Sequence, residues 1–283
     1  GTCGQMLHIQ PMGIGIVEFR CPHCAAVNRL EWRGEGPAAE LRPFEHPWWW
    51  QAQPAMGSSE FVPAKDHIIQ AIQDMLDKTW KDVVTRDREK GTQPKRLKVM
   101  QVNQNCNPRL WQNYSRAKDG LRAKMGGPQL VAKTSECLSP ALGAVDGDVN
   151  EVLLFHGTRP DAVESICQSD FMVNMAGSVT GTLYGRGLYF GECSSKSDEY
   201  AKEGAGIFRG VYAMLLCRVA CGRFLYNDEV SPDAASLESM CKSGQYDSVL
   251  GDREKCRNTY REFIVFSNDM AYPEYAVLYR RVD

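Results

Sequence analysis

Four consecutive apolar residues, Val152-Leu153-Leu154-Phe155, stop without transition at His156-Gly157-Thr158. An unbroken apolar run lacks the alternation of a half-exposed strand, so it reads as a strand buried on both faces that the rest of the chain must cover. Its polar stop puts His156 at a strand end, where ligands commonly bind. Upstream, Ile68, Ile69, Ile72, Met75, Leu76 and Trp80 recur at helical spacing after Asp66, which predicts an amphipathic helix. A short alternating strand around Leu97, Val99 and Gln101 leads to Asn107-Pro108, a cap followed by proline at the first helical position. Leu110, Trp111, Tyr114 and Leu121 then form one apolar face, and the many Lys and Arg residues between Lys78 and Lys124 read as its solvated opposite side.

The 283 residues suit one large domain with a small appendage, or two modest domains. The 33 Lys and Arg nearly balance 35 Asp and Glu, which argues against a globally electrostatic nucleic-acid binder. No apolar run approaches the roughly 18 to 20 residues of a membrane-spanning helix, so no membrane is expected among the partners. The eleven cysteines stand mostly alone within apolar stretches such as Leu215-Leu216-Cys217. They read as reduced core thiols and point to an intracellular compartment, nucleus or cytoplasm.

Residues 1–32 read as a small β-ribbon carrying the Cys21-Pro-His-Cys24 knuckle, with Cys3 as a third thiolate. Cys3, Cys21 and Cys24 are candidate zinc ligands, and the fourth would be His8, His23 or a residue before Gly1. The same cysteines also read as plain reduced thiols. The run Cys3-Gly-Gln-Met-Leu, then Pro11 and Gly13, then the knuckle, resembles a plant-type zinc ribbon. A ribbon of that kind implies protein contacts or weak nucleic-acid contacts. Residues 33–63 are rich in Pro, Gly, Ala and Ser and read as a linker, whose Trp48, Trp49 and Trp50 are expected to pack back onto the following domain.

Between residues 156 and 262 the polar residues take a distinctive order. His156-Gly157 is followed by a glycine-rich stretch holding Gly177, Gly181, Gly185 and Gly187. Gly185-Arg186-Gly187 lacks the lysine and following helix of a phosphate-binding loop. Next come the strand-like Gly187-Leu188-Tyr189-Phe190 and a short helix from Ser194 that puts Ser197 and Tyr200 on one face. Gln245-Tyr246-Asp247-Ser248-Val249, Tyr260-Arg261-Glu262-Phe263-Ile264-Val265-Phe266 and Ala271-Tyr272-Pro273-Glu274-Tyr275 complete the series. Each tyrosine alone would be ordinary core, and Glu262 alone the outer face of an alternating strand.

Together, and with Val102 to Tyr114 ahead of them, these segments resemble the catalytic domain of the poly(ADP-ribose) polymerase branch of the ADP-ribosyltransferases. The resemblance spans residues 95–283 within a catalytic domain expected at 64–283. It implies an α+β fold of two packed, mainly antiparallel sheets with peripheral helices, preceded by the β-ribbon, and a cleft for NAD. By the same resemblance the backbone of Gly157, with Thr158 beside it, holds the nicotinamide carboxamide. Ser197 adds a hydrogen bond, Tyr200 stacks on the ring and Tyr189 flanks the pocket. His156 is expected to donate to a ribose hydroxyl of the adenosine half. Glu262 is expected to accept from the nicotinamide ribose and stabilise its developing cation. His156, Tyr189 and Glu262 form the family's triad, which permits chain elongation, whereas many mono-transferring members lack the glutamate. Ala201 to Phe208 holds no Cys or His, so the tankyrase-like zinc cluster is not expected. One amphipathic helix and a linker precede the core, too little for the helical regulatory domain of the DNA-damage-activated members, so DNA-dependent activation is not expected either. The expected activity is transfer of ADP-ribose from NAD to a protein acceptor, itself included. The rival readings are an NAD glycohydrolase, a silent NAD or ADP-ribose scaffold, and a nucleic-acid adaptor acting through the ribbon.

Overall fold

The computed structural model describes residues 15–20, 27–32, 45–88, 93–171 and 182–282. The chain divides into two compact units, Gly1–Glu45 and His46–Asp283. In the first, β1 (Gly15–Arg20) and β2 (Val27–Trp32) form an antiparallel ribbon in which Gly15 opposes Trp32 and Arg20 opposes Val27. Cys3, Cys21 and Cys24 lie outside the described residues. The residues that are described hold no group of three or more His, Cys, Asp or Glu side chains suited to a metal.

The second unit begins inside the expected linker. Trp49 and Trp50 pack onto the domain as anticipated, Trp50 stacking on Tyr272 at 6.0 Å, while Trp48 is 77% exposed. Residues 60–63, which show no strand period in sequence, form β3 (Glu60–Pro63) by pairing with the next strand. There follow α1 (Asp66–Lys78), β4 (Arg96–Cys106), α2 (Pro108–Arg122) and α3 (Lys133–Glu136). Asn107 caps α2 by accepting from Leu110 N–H at 3.2 Å, with Pro108 at the first helical position. Next are β5 (Glu151–Thr158), α4 (Val163–Ser169), β6 (Leu188–Gly191) and α5 (Ser194–Tyr200). The chain ends with β7 (Tyr212–Ala220), β8 (Phe224–Asn227), α6 (Ala234–Lys242), β9 (Ser248–Asp252), α7 (Arg253–Arg257), β10 (Arg261–Val265) and β11 (Ala271–Val282).

The architecture is α+β. The strands run in the order β3-β4-β11-β7-β5-β6-β10-β9-β8, and every pairing is antiparallel except β8 with β9. The two halves of this array, β3 to β5 and β6 to β8, join through one register pair, Phe155 with Gly191. The apolar face of α1, with Ile68, Ile72, Met75 and Leu76, packs on Leu153 and Phe155 of β5, Met214 and Leu216 of β7, and Tyr275 and Val277 of β11. Such cover explains why β5 and β7 read as unbroken apolar runs. Over the other half, Leu237 and Cys241 of α6 pack with Val249, Ile264 and Tyr184.

Candidate active site

The narrow junction between the half-sheets creates the site. Beyond Phe155 the last residues of β5, His156 to Thr158, pair with β7 alone, so their other backbone edge has no ladder partner. Helix α5 packs onto that edge. A Cβ on Gly157 would stand 2.0 Å from the carbonyl oxygen of Ser197, so only glycine permits the approach. The Thr158 carbonyl accepts from Lys202 N–H at 3.2 Å, which fixes the chain leaving α5. Helix α5 is short and rich in charge, yet Ser194 to Glu199 are all buried, because each charged side chain finds a partner within the fold.

A single register row runs Phe155, Gly191, Glu262, Gly251 across β5, β6, β10 and β9. Residues directly opposite point to the same face, so Glu262 has a glycine on either side of its side chain. Other side chains fill the space these glycines leave. A Cβ on Gly191 would lie 3.0 Å from Ser197 Oγ, and one on Gly251 would strike the Tyr184 ring at 2.1 Å. Glu262 is therefore flanked by Ser197 on one side and Tyr184 on the other. Ser197 Oγ donates to the Phe155 carbonyl at 3.0 Å, leaving its oxygen as an acceptor toward the cleft. The Tyr184 hydroxyl is buried, with no hydrogen bond of good geometry among the described residues and with Arg253 nearby.

Tyr189, two residues before Gly191, shares its face. Its hydroxyl accepts from Tyr184 N–H at 2.9 Å and donates to the Gly185 carbonyl at 2.8 Å, clamping the turn before β6. Burial raises its pKa well above the ordinary tyrosine value, so it keeps the proton that it donates. His156 Nδ1 lies 2.9 Å from the Tyr189 carbonyl. A carbonyl can only accept, so Nδ1 carries the proton. Burial lowers the ring's pKa, and a neutral ring then presents Nε2 as an acceptor. The ring lies against Phe171 and Phe190, one strand removed from Glu262.

These motifs, in this order on this sheet, are those of one family. The poly(ADP-ribose) polymerase catalytic domain matches residues 78–281. The chain belongs to that family. Similar proteins include the mouse protein mono-ADP-ribosyltransferase PARP11, 27% identical over 198 residues, which cover 64% of this chain and 52% of the mouse protein. Human protein mono-ADP-ribosyltransferase PARP12 is 28% identical over 184 residues, covering 64% of this chain and 22% of the human protein. The chain thus spans about half the length of the first relative and less of the second.

At the heart of this poly(ADP-ribose) polymerase domain stands a residue that the sequence motifs do not single out. Lys196 Nζ lies 3.4 Å from Glu262 Oε1, 3.1 Å from Glu199 Oε2, 3.0 Å from the Tyr200 hydroxyl and 3.2 Å from Asp87 Oδ2. Burial pushes its pKa down, but Glu262, Tyr200 and Glu199 outweigh burial and raise it, so the ammonium is held charged. Its position directly before Ser197 and one turn before Tyr200 was the available signal, and a lone lysine in a helix reads as surface. Asp87 is the other unannounced member. The Tyr200 hydroxyl donates to its Oδ2 at 2.9 Å. Two surface cavities elsewhere, of about 430 and 500 Å³, are lined by residues of α1 and β4 and of α6 and Gly185; neither is lined by His156 or Glu262. The edge of β5 left without a strand partner, rather than either of these cavities, marks this site.

Proposed function

We propose that this chain is an NAD-dependent ADP-ribosyltransferase that cleaves the bond between nicotinamide and ribose and passes ADP-ribose to a protein acceptor. The observation that carries the reading is the position of Lys196, in contact with both Glu262 and Tyr200. That lysine ties a carboxylate suited to a developing ribose cation to a ring suited to stack on nicotinamide. Gly157, on the stretch of β5 that has no strand partner on its second edge, would pair with the carboxamide, and the Ser197 oxygen would accept from its amide. Tyr200 would hold the ring by stacking. As the C1′–N bond breaks, its electron pair passes to the ring nitrogen, turning the pyridinium into neutral nicotinamide and leaving positive charge on the ribose. Glu262 stabilises that charge and orients the ribose hydroxyl, an interaction that strengthens only in the transition state. His156, near the far end of the cleft, would accept from a hydroxyl of the adenosine half.

The eight described cysteines are free thiols, which supports a reducing, intracellular setting. No described helix is long and apolar enough to cross a membrane. The domain organisation proposed is a ribbon, a connecting segment that docks through Trp49 and Trp50, and the catalytic domain. Glu262 favours chain elongation as a second reading, whereas both relatives are named as mono-transferases.

Intact mass spectrometry of the protein incubated with NAD, beside Glu262→Gln, tests the activity, with nicotinamide measured in the same tubes. We expect ADP-ribose additions on the wild type and turnover at least ~100-fold lower in the variant. Several additions on one site would establish elongation, and one would establish single transfer. Nicotinamide without additions, in the presence of candidate acceptor proteins, would make the chain a glycohydrolase. No nicotinamide from the wild type would sink the enzymatic reading in favour of a binding scaffold.

A further inference from the structure

The connection that follows α1, residues 81–88, is bound to the site by more bonds than a linker needs. Tyr260 donates its hydroxyl to the Val83 carbonyl at 2.7 Å, Thr85 Oγ1 donates to Glu199 at 2.9 Å, and Lys81 Nζ donates to the Thr259 carbonyl at 2.6 Å. Arg88 is buried, with Nη1 on Asp198 Oδ2 and Nη2 on the Ser195 carbonyl, each at 2.8 Å. These anchors carry Asp87 to the Tyr200 hydroxyl and the Lys196 ammonium. Its carboxylate, about one-third exposed, thus stands at the end of the cleft where Tyr200 would stack on nicotinamide.

The charges around it do not cancel. Asp87, Asp198, Glu199 and Glu262 supply four carboxylates, and Lys196, Arg88 and Arg281 three cations joined to them. Arg86 also approaches Asp87, at 3.7 Å, but its side chain is 88% exposed and its charge is screened by water. Burial raises the pKa of Asp87, and Lys196 and the Tyr200 hydroxyl more than reverse that, holding the carboxyl below its usual value and ionised. Among the described residues, and with Arg86 screened, the cluster is left short of one positive charge, at the end where the nicotinamide ring would lie. Intact NAD brings that charge as its pyridinium, whereas released nicotinamide is neutral.

We propose that Asp87 is a specificity-determining residue, whose carboxylate selects the cationic nicotinamide of the substrate over the neutral nicotinamide product. The inference rests on the nicotinamide site proposed above. Cleavage moves the positive charge from the ring to the ribose, so the attraction of Asp87 for the ring disappears as the C1′–N bond breaks. The device favours substrate capture and product release, and it leaves the stabilisation of the ribose cation to Glu262.

Two small probes separate charge from shape: nicotinamide and the 1-methylnicotinamide cation. Calorimetric or ligand-observed NMR affinities of both would be measured for the wild type, Asp87→Asn and Asp87→Glu. Asp87→Asn should lower the preference for the cation over nicotinamide by about fivefold, as expected for one partly solvated charge contact. Affinity for nicotinamide itself should change less than about twofold, and Asp87→Glu should restore most of the preference. A role confined to holding Tyr200 would instead weaken both probes together, and that result overturns the proposal. An unchanged preference overturns it too, while leaving the nicotinamide site intact. A wild type that binds neither probe would overturn the site and the proposal together.

Discussion

Two buried clusters of charge lie in the same domain, and they are built differently. In one, Arg218 gives Nε to Glu274 Oε2 at 2.6 Å, Nη1 to the Ala144 carbonyl and Nη2 to the Leu142 carbonyl, both at 2.7 Å, beneath the Trp49 ring. Glu274 also accepts from Trp49 Nε1, while Glu151 accepts from Tyr114, Lys118 and Asp146 N–H. Every group is spent. In the other, among the described residues Glu262 is paired with Lys196, at an ion-pair distance rather than a short hydrogen bond, and Asp87 is partly exposed. Both clusters contain charges that burial perturbs, so burial alone does not mark function. Bonding capacity left over beside an open strand edge does.

The sharpest test of that contrast is Arg218→Met. Removing Arg218 leaves Glu274 buried without its cation and Glu151 with Lys118 alone, which should cost about 3–5 kcal/mol of stability. Urea denaturation measures it, and a loss under about 1 kcal/mol would show that the closed cluster does not hold the fold together. Glu262→Gln is the counterpart. Its loss of turnover should come with a stability change within about 1 kcal/mol, because Glu262 makes one loose contact. Equal destabilisation by the two variants would erase the distinction.

Trp49→Phe probes the closed cluster more gently. It keeps an aromatic ring near Arg218 but leaves a buried oxygen of Glu274 without the indole donor, for an expected cost of about 2 kcal/mol. Nicotinamide release by the folded variant should match the wild type. This residue also shows where sequence reading stops. The aromatic run was legible as a segment that packs back. Its partners Arg218 and Glu274, more than 160 residues away, were not, since no local pattern records a tertiary ion pair. The same holds for Arg88, which reads as part of a solvated basic face yet is only 2% exposed on Asp198. By contrast β5, the Asn107 cap, α1 and the order of site motifs were legible, because periodicity, capping and motif spacing are local. Glu60–Pro63 was missed because its strand character comes from pairing with β4, not from its own alternation.

A third carboxylate, in neither cluster, shows what burial without a described ion pair costs. Asp170 ends α4 with φ at +97°, and among the described residues its Oδ1 accepts from Phe171 N–H, at 2.7 Å. Burial pushes its pKa up to about 6; that hydrogen bond and Arg109 oppose the rise, and Asp269 adds to it. The unfolded chain loses this proton near pH 4. Between about pH 4 and 6 the folded state therefore binds more protons than the unfolded one, so stability falls as pH rises through that window and the full cost is present above it. Asp170→Asn keeps an acceptor for Phe171 N–H and tolerates positive φ, but carries no charge. It should stabilise the protein by about 1 kcal/mol at pH 7.5 and leave it unchanged at pH 4, as the difference in Tm between variant and wild type at each pH would show. Equal gains at both pH values would trace the effect to backbone conformation. No gain at pH 7.5 would mean that Asp170 is as well satisfied as the carboxylates around Arg218, and the line drawn between spent and unspent groups would have to move.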